Sequence, residues 1–143
     1  MYTGSCQMAH VGILATLSWG RGARLVVDAI ASARAGRGTV VVAGAPGLAQ
    51  VLRDRGLQVV VFGGGFGVES LPFADGELAA LVVRGPEPRG GWLRAVRPGG
   101  AVVLVGAPPA AEQSRRALCA GLVDLEQRRA GRLLVTSGRT PPR

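Results

Sequence analysis

The side chains best suited to covalent or metal chemistry are few: one histidine, His10, and two cysteines, Cys6 and Cys119. A histidine-based dyad has no second histidine to draw on. The cysteines lie far apart and neither belongs to a Cys-x-x-Cys or Cys/His cluster, so neither a disulfide nor a metal site is expected. Asp75 and Glu77 are close enough to suggest a pair of carboxylates for acid–base work. The other chemistry on offer is backbone chemistry. Gly44-Ala45-Pro46-Gly47 is a tight turn that could bring main-chain amides against a ligand, and Gly63-Gly64-Gly65-Phe66-Gly67 could act as an anion nest. The second run is not a Walker loop, since no Gly-Lys-Ser/Thr follows it, and no Gly-x-Gly-x-x-Gly lies between a strand and its helix. A flexible connection is the favoured reading of Gly63 to Gly67.

These residues must be positioned by strands and helices whose order is visible in the hydropathy. Leu25, Val26, Ala29, Ile30 and Ala33 recur at helical spacing from about Arg21 until Gly36 and Gly38 end the pattern. Thr39 to Ala43 is a β-branched run ending at the Gly44 turn, and Leu48, Val51 and Leu52 then form a helical stripe closed by Gly56. Further strands are expected at Leu57 to Phe62, Leu78 to Val83 and Ala101 to Val105. A helix from Ala110 to Ala120 follows, then an alternating stretch from Gly121 to Arg128, a turn at Ala130-Gly131 and a last strand from Leu133 to Thr136. Apolar runs alternating with helical segments imply a parallel sheet covered on both faces, a doubly wound α/β fold of about six strands.

A chain of 143 residues suits one domain, burying roughly 68–70% of the surface its unfolded form exposes. We expect an N-terminal segment over 1–20, a domain over 21–138 and a flexible tail over 139–143, with fraying from 137. No apolar run approaches the roughly 18 residues of a membrane span, and no basic residue precedes Arg21 as a signal peptide would require. A cytoplasmic location and no membrane partner are therefore expected. The net charge is +8, carried by seventeen basic residues that are all arginine. Arg115-Arg116 and Arg128-Arg129 are the densest pairs, without interleaved aromatics of the kind that stack bases. High-GC coding produces such an arginine-only pattern without selection for a partner, so composition alone decides little, and nucleic acid is retained as a less favoured partner.

Two stretches narrow the reading. Glu69-Ser70-Leu71-Pro72-Phe73-Ala74-Asp75-Gly76 leads into Leu78 to Val83, and Arg97-Pro98-Gly99-Gly100 leads into Ala101 to Val105. Together with the closing hairpin, these motifs resemble the second half of the class I S-adenosylmethionine-dependent methyltransferases, of the methyltransferase type 11 kind, over about residues 39 to 138. The resemblance implies a Rossmann-like sheet with an antiparallel C-terminal hairpin strand. It implies a cofactor site built from Gly44, Ala45, Gly47, Gly63, Glu69 and Leu71, with Glu69 the carboxylate nearest the adenine. It also makes Asp75 and Glu77 turn residues, and Trp19 and Trp92 packing anchors. Arg84 and Arg89 flank the substrate side, and no general base is evident.

Departures from the family pattern fall on the cofactor. Pro46 and Leu48 stand where turn glycines are usual, although Gly47 could serve with a shift of one residue. Val42 replaces the acid that precedes the turn, and Val59-Val60-Val61-Phe62 runs into Gly63 without the carboxylate that holds the ribose hydroxyls. Losing two hydrogen bonds to a charged group costs about 3–6 kcal/mol, roughly two to four orders of magnitude in affinity. Only Gly63 to Ser70 fills the interval that normally holds a helix and an edge strand. The expectation is a non-catalytic binding or assembly subunit with weak or absent S-adenosylmethionine binding. The alternative is a reduced but active methyltransferase acting on a small molecule. The shortened sheet should expose the edge strand Leu57 to Phe62 to a second copy or a protein partner, unless residues 1–20 cover it.

Overall fold

The computed structural model describes residues 19–33, 37–62, 71–84, 90–106 and 109–141. Helix α1 occupies 19–32, so Trp19 lies within the first helix and not ahead of it. Strand β1 is Thr39–Ala43, helix α2 is Pro46–Asp54 and strand β2 is Val59–Phe62. Strand β3 (Leu78–Arg84), the short helix α3 (Gly90–Leu93) and strand β4 (Val96–Gly106) follow. Helix α4 (Ala110–Cys119) and the hairpin β5 (Val123–Ala130) and β6 (Leu133–Arg139) complete the chain.

The six strands form one sheet in the order β2-β1-β3-β4-β6-β5. β2, β1, β3 and β4 are parallel, whereas β6 runs antiparallel to both β4 and β5. This is the doubly wound α/β sheet that the periodicity predicts, with the antiparallel C-terminal hairpin that the family resemblance implies. Val40, Val42, Ala80, Val82, Ala101 and Val103 project to one face, beneath Ala23 and Val26 of α1 and Leu48 and Leu52 of α2. Val41, Ala43, Leu81, Val83, Val102 and Leu104 project to the other, against Trp92, Ala117 and Leu122. Strands buried on both faces are continuous apolar runs for that reason.

Several boundaries differ from the sequence reading, each for a local reason. β2 begins at Val59, because the Leu57 amide still bonds the Leu52 carbonyl at the end of α2. β4 begins at Val96. Val96 pairs with Leu78 and Ala101 with Ala80, so Arg97-Pro98-Gly99-Gly100 is an outward loop within the strand and not a turn before it. Gly99 has φ +76°, and a Cβ on Gly100 would stand 2.8 Å from the Arg97 carbonyl oxygen, so both positions require glycine. β6 continues past Thr136: Ser137, Gly138 and Arg139 pair with Val103, Val102 and Ala101 instead of fraying. Thr140 exchanges backbone bonds with Gly99 and Gly100.

A polar triad fastens α4 to the hairpin. Thr136 is fully buried and donates through Oγ1 to Oε1 of the buried Gln113, while Gln127 Nε2 donates to Thr136 Oγ1 at 3.0 Å and to the Ala110 carbonyl at 2.9 Å. Thr136→Val should destabilise the fold by about 1–3 kcal/mol, because Gln113 is left buried with an unmatched oxygen. Urea unfolding checks this; a loss under about 0.5 kcal/mol would mean that water or a rotated Gln113 replaces the bond.

Candidate functional site

Open α/β sheets bind ligands outside the carboxyl ends of the strands, where the order of connection reverses. Here the chain leaves β1 for β2 on one side and returns to β3 on the other, which puts the switch point between β1 and β3. The residues that follow these strands are Gly44 after β1 and those after Phe62 and Arg84.

The first turn is shaped for close approach. Gly44 takes φ +80°, a conformation costly for any residue with a Cβ, and Ala45 follows with φ −146°. Pro46 opens α2, where its missing N–H is one of the donors a helix leaves unused and its fixed φ is favourable. The proline thus starts the helix instead of distorting the turn. α2 has no side-chain cap and no acidic residue in its first turn, so its positive end and early amides face the switch point.

The other expected contacts divide. Gly47 is the second residue of α2, beside Gly44. The Ala45 side chain is buried in the core with Leu48 and Ala49, leaving only its backbone for a ligand. Leu71 is 1% exposed and packs with Trp92 on the opposite face of the sheet. Gly63 and Glu69 lie outside the described residues, as do Arg89, His10 and Cys6. Val42 is fully buried between β1 and the helices, so its position faces core and not ligand. β2 ends on Phe62, whose ring meets Trp92 edge-on at 5.5 Å between centroids.

Asp75 and Glu77 do not form a pair. Asp75 accepts from Arg94 at 2.9 Å, while Glu77 Oε1 accepts the Ala74 amide at 2.8 Å and closes the turn locally. Arg94 is the residue that sequence patterns miss. Its Nη1 also donates to the Phe73 carbonyl at 2.6 Å and its Nη2 to the Leu71 carbonyl at 2.8 Å, pinning the Leu-Pro-Phe loop from across the chain. No local spacing signals this, because donor and acceptors are about twenty positions apart. Trp19 and Trp92 are buried packing residues on opposite faces. Arg84 covers the Trp19 ring at 5.3 Å.

The edge of the sheet is exposed in part. Val60 is 39% and Val61 36% accessible. Arg53 reaches from α2 to the outward Val59 carbonyl at 3.2 Å, which blunts part of the edge. A cavity of about 830 Å³ opens at the other end of the sheet, lined by Val27, Ile30, Arg37, Leu57 and Ala79 among others. No group of three or more potential metal ligands occurs among the described residues. None of the helices they form is long and apolar enough to cross a membrane.

Solved structures decide which known architecture this is. A chain of the complex between the Haloferax volcanii Trm112 methyltransferase activator and a putative methyltransferase matches 90% of this chain and 94% of its own length. Its TM-score is 0.54 at 16% identity. A putative S-adenosyl-L-methionine-dependent methyltransferase from Methanococcus maripaludis matches 99% of this chain and 94% of its own, with TM-score 0.58 at 11% identity. The chain has the class I methyltransferase fold. An O-methyltransferase family protein from Burkholderia thailandensis agrees, with TM-score 0.53 over 87% of this chain and 57% of its own at 16% identity. No family model and no curated protein sequence matches the chain. Within that fold Arg94 supports the loop that enters the central strand β3.

Proposed function

We propose that this methyltransferase-fold protein has an eroded S-adenosylmethionine site and serves as a non-catalytic binding or assembly subunit in the cytoplasm. One observation carries the reading: β2 ends on Phe62, packed against Trp92, with no carboxylate at the last positions of the strand where the cofactor ribose would be held. Gly44, Ala45 and Gly47 keep a turn that a ligand backbone could approach, with Gly63, Glu69 and Leu71 completing the proposed cofactor set. That retained turn, with the uncapped start of α2, favours the second reading: a reduced methyltransferase acting on a small molecule, with rate gained by positioning alone.

Calorimetric titration with S-adenosylmethionine separates the two. Millimolar or undetectable affinity is expected, and Gly63→Asp should raise any residual affinity about tenfold or more by restoring a charged acceptor after β2. A low-micromolar wild-type dissociation constant would overturn the reading and return catalysis to first place.

The proposed partner site is the β2 edge, with Val60 and Val61 exposed. One matched fold was solved in complex with a methyltransferase activator, which supports a protein partner for such a fold. A second copy of this chain is the simplest occupant. Sedimentation equilibrium should show self-association of the wild type that Val60→Lys abolishes, since a lysine on an exposed edge strand opposes edge pairing. A wild type that stays monomeric at high concentration would refute self-association.

A further inference from the structure

The arginines, dispersed in sequence, are sorted by the fold. Four hold backbone carbonyls: Arg53 on Val59, Arg94 on Leu71 and Phe73, Arg97 on Arg37, and Arg139 on Ser32. Two pair with carboxylates of their own elements, Arg116 with Glu112 and Arg128 with Glu126. The remaining exposed arginines with no ion pair among the described residues are Arg21, Arg24, Arg37, Arg55, Arg84, Arg115, Arg129 and Arg132.

Four of these, Arg84, Arg21, Arg24 and Arg132, lie near one another. Arg84 ends β3 and lies over Trp19, at the start of the described part of α1. Arg21 and Arg24 occupy the next turn of α1, on the side away from the sheet. Gly22 packs so closely on Leu133 that a Cβ there would stand 2.4 Å from its Cδ2, which seats the β5–β6 turn and Arg132 beside α1. Leu134 pairs with Gly106, so the turn lies at the carboxyl end of the parallel strands. The ridge therefore runs along one rim of the sheet. Asp28, the nearest carboxylate on α1, is one turn beyond Arg24.

The surroundings decide the chemistry of the partner. Among the described residues the exposed large hydrophobic side chains are Val60, Val61, Leu118 and Val123, and none belongs to the ridge. A membrane-surface site needs apolar residues to insert, and a stable protein interface needs apolar or aromatic anchors at its centre. A row of unpaired, hydrated guanidinium groups without either suits a phosphodiester backbone, bound by charge and without base readout. We infer that the rim formed by Arg84, Arg21, Arg24 and Arg132 binds nucleic acid through its phosphates. This assignment does not depend on whether S-adenosylmethionine binds.

The test is fluorescence anisotropy with labelled single-stranded RNA and DNA oligonucleotides, without cofactor. Arg21→Gln/Arg24→Gln/Arg132→Gln is compared with Arg37→Gln/Arg55→Gln/Arg115→Gln, which removes equal charge from exposed positions elsewhere. The wild type should bind with a salt slope of about −2 to −3, as three or four phosphate contacts to a single strand require. The rim variant should bind about tenfold or more weakly with a slope near zero, while the control stays within about twofold. Circular dichroism and thermal midpoints establish that both variants are folded. Equal losses in the two variants, no wild-type binding, or equally tight rim-dependent binding to phosphatidylserine vesicles or polyglutamate would each overturn the inference.

Discussion

Replacing Trp92 with alanine should remove about 3–5 kcal/mol of stability, the range for truncating a large buried aromatic. The residue is 1% exposed and is the largest side chain buried to that degree. It belongs to α3, which has only four residues and cannot persist on its own hydrogen bonds. Burial of the indole is what attaches that turn to the sheet, through Leu71, Leu81, Val83 and Ala95 on the same face. The edge-on contact with Phe62 ties the end of β2 to the same point and adds about 0.5–1.5 kcal/mol beyond area burial. A domain of this size should show the loss as a fall of roughly 10 °C or more in Tm. Trp92→Phe, which keeps a ring, should recover about half. Guanidinium or thermal unfolding checks the series, and a loss below about 1 kcal/mol for Trp92→Ala would show that α3 docks by other contacts.

What the sequence discloses follows from how local each cause is. β1, β3 and β4 are legible because strands buried on both faces must be apolar throughout, as Val40 to Ala43 and Leu78 to Val83 are. The end of β6 is not legible, since Ser137 and Gly138 carry no hydrophobic alternation. Gly138 is small because a Cβ would meet Leu125 at 2.8 Å and Leu122 at 2.9 Å, a requirement set by another strand. The candidate site is legible as a turn and only partly as a set of contacts. Gly44 reveals its positive φ by being glycine, but nothing in the sequence around Ala45 or Leu71 tells that their side chains face the core. The positions of the arginines are likewise a property of the sheet order, which brings Arg84 and Arg132 to one rim from distant parts of the chain.

Arg94 is the determinant that local sequence patterns hide. Its guanidinium meets three acceptors at once, the Leu71 and Phe73 carbonyls and the Asp75 carboxylate. Hydrogen bonds to a charged donor contribute about 1.5–3 kcal/mol each when well formed. The group is about one-third exposed, which weakens each of them. Arg94→Ala should therefore cost about 2–4 kcal/mol and release residues 71–77. Arg94→Lys should recover less than half, because a point ammonium cannot span two carbonyls that a planar fork reaches. Asp75→Asn is the informative control. Asp75 is 69% exposed, and its pairing alone should be worth at most about 1 kcal/mol. Urea unfolding of the three variants distinguishes a loop held by its carbonyls from one held by an ion pair. If Asp75→Asn costs as much as Arg94→Ala, the carbonyl contacts contribute little and the ion pair is the anchor. If the order is as expected, hydrogen exchange should show the Phe73, Gly76 and Glu77 amides losing protection in Arg94→Ala before the strands do, since the loop can open locally while β3 stays paired on both sides.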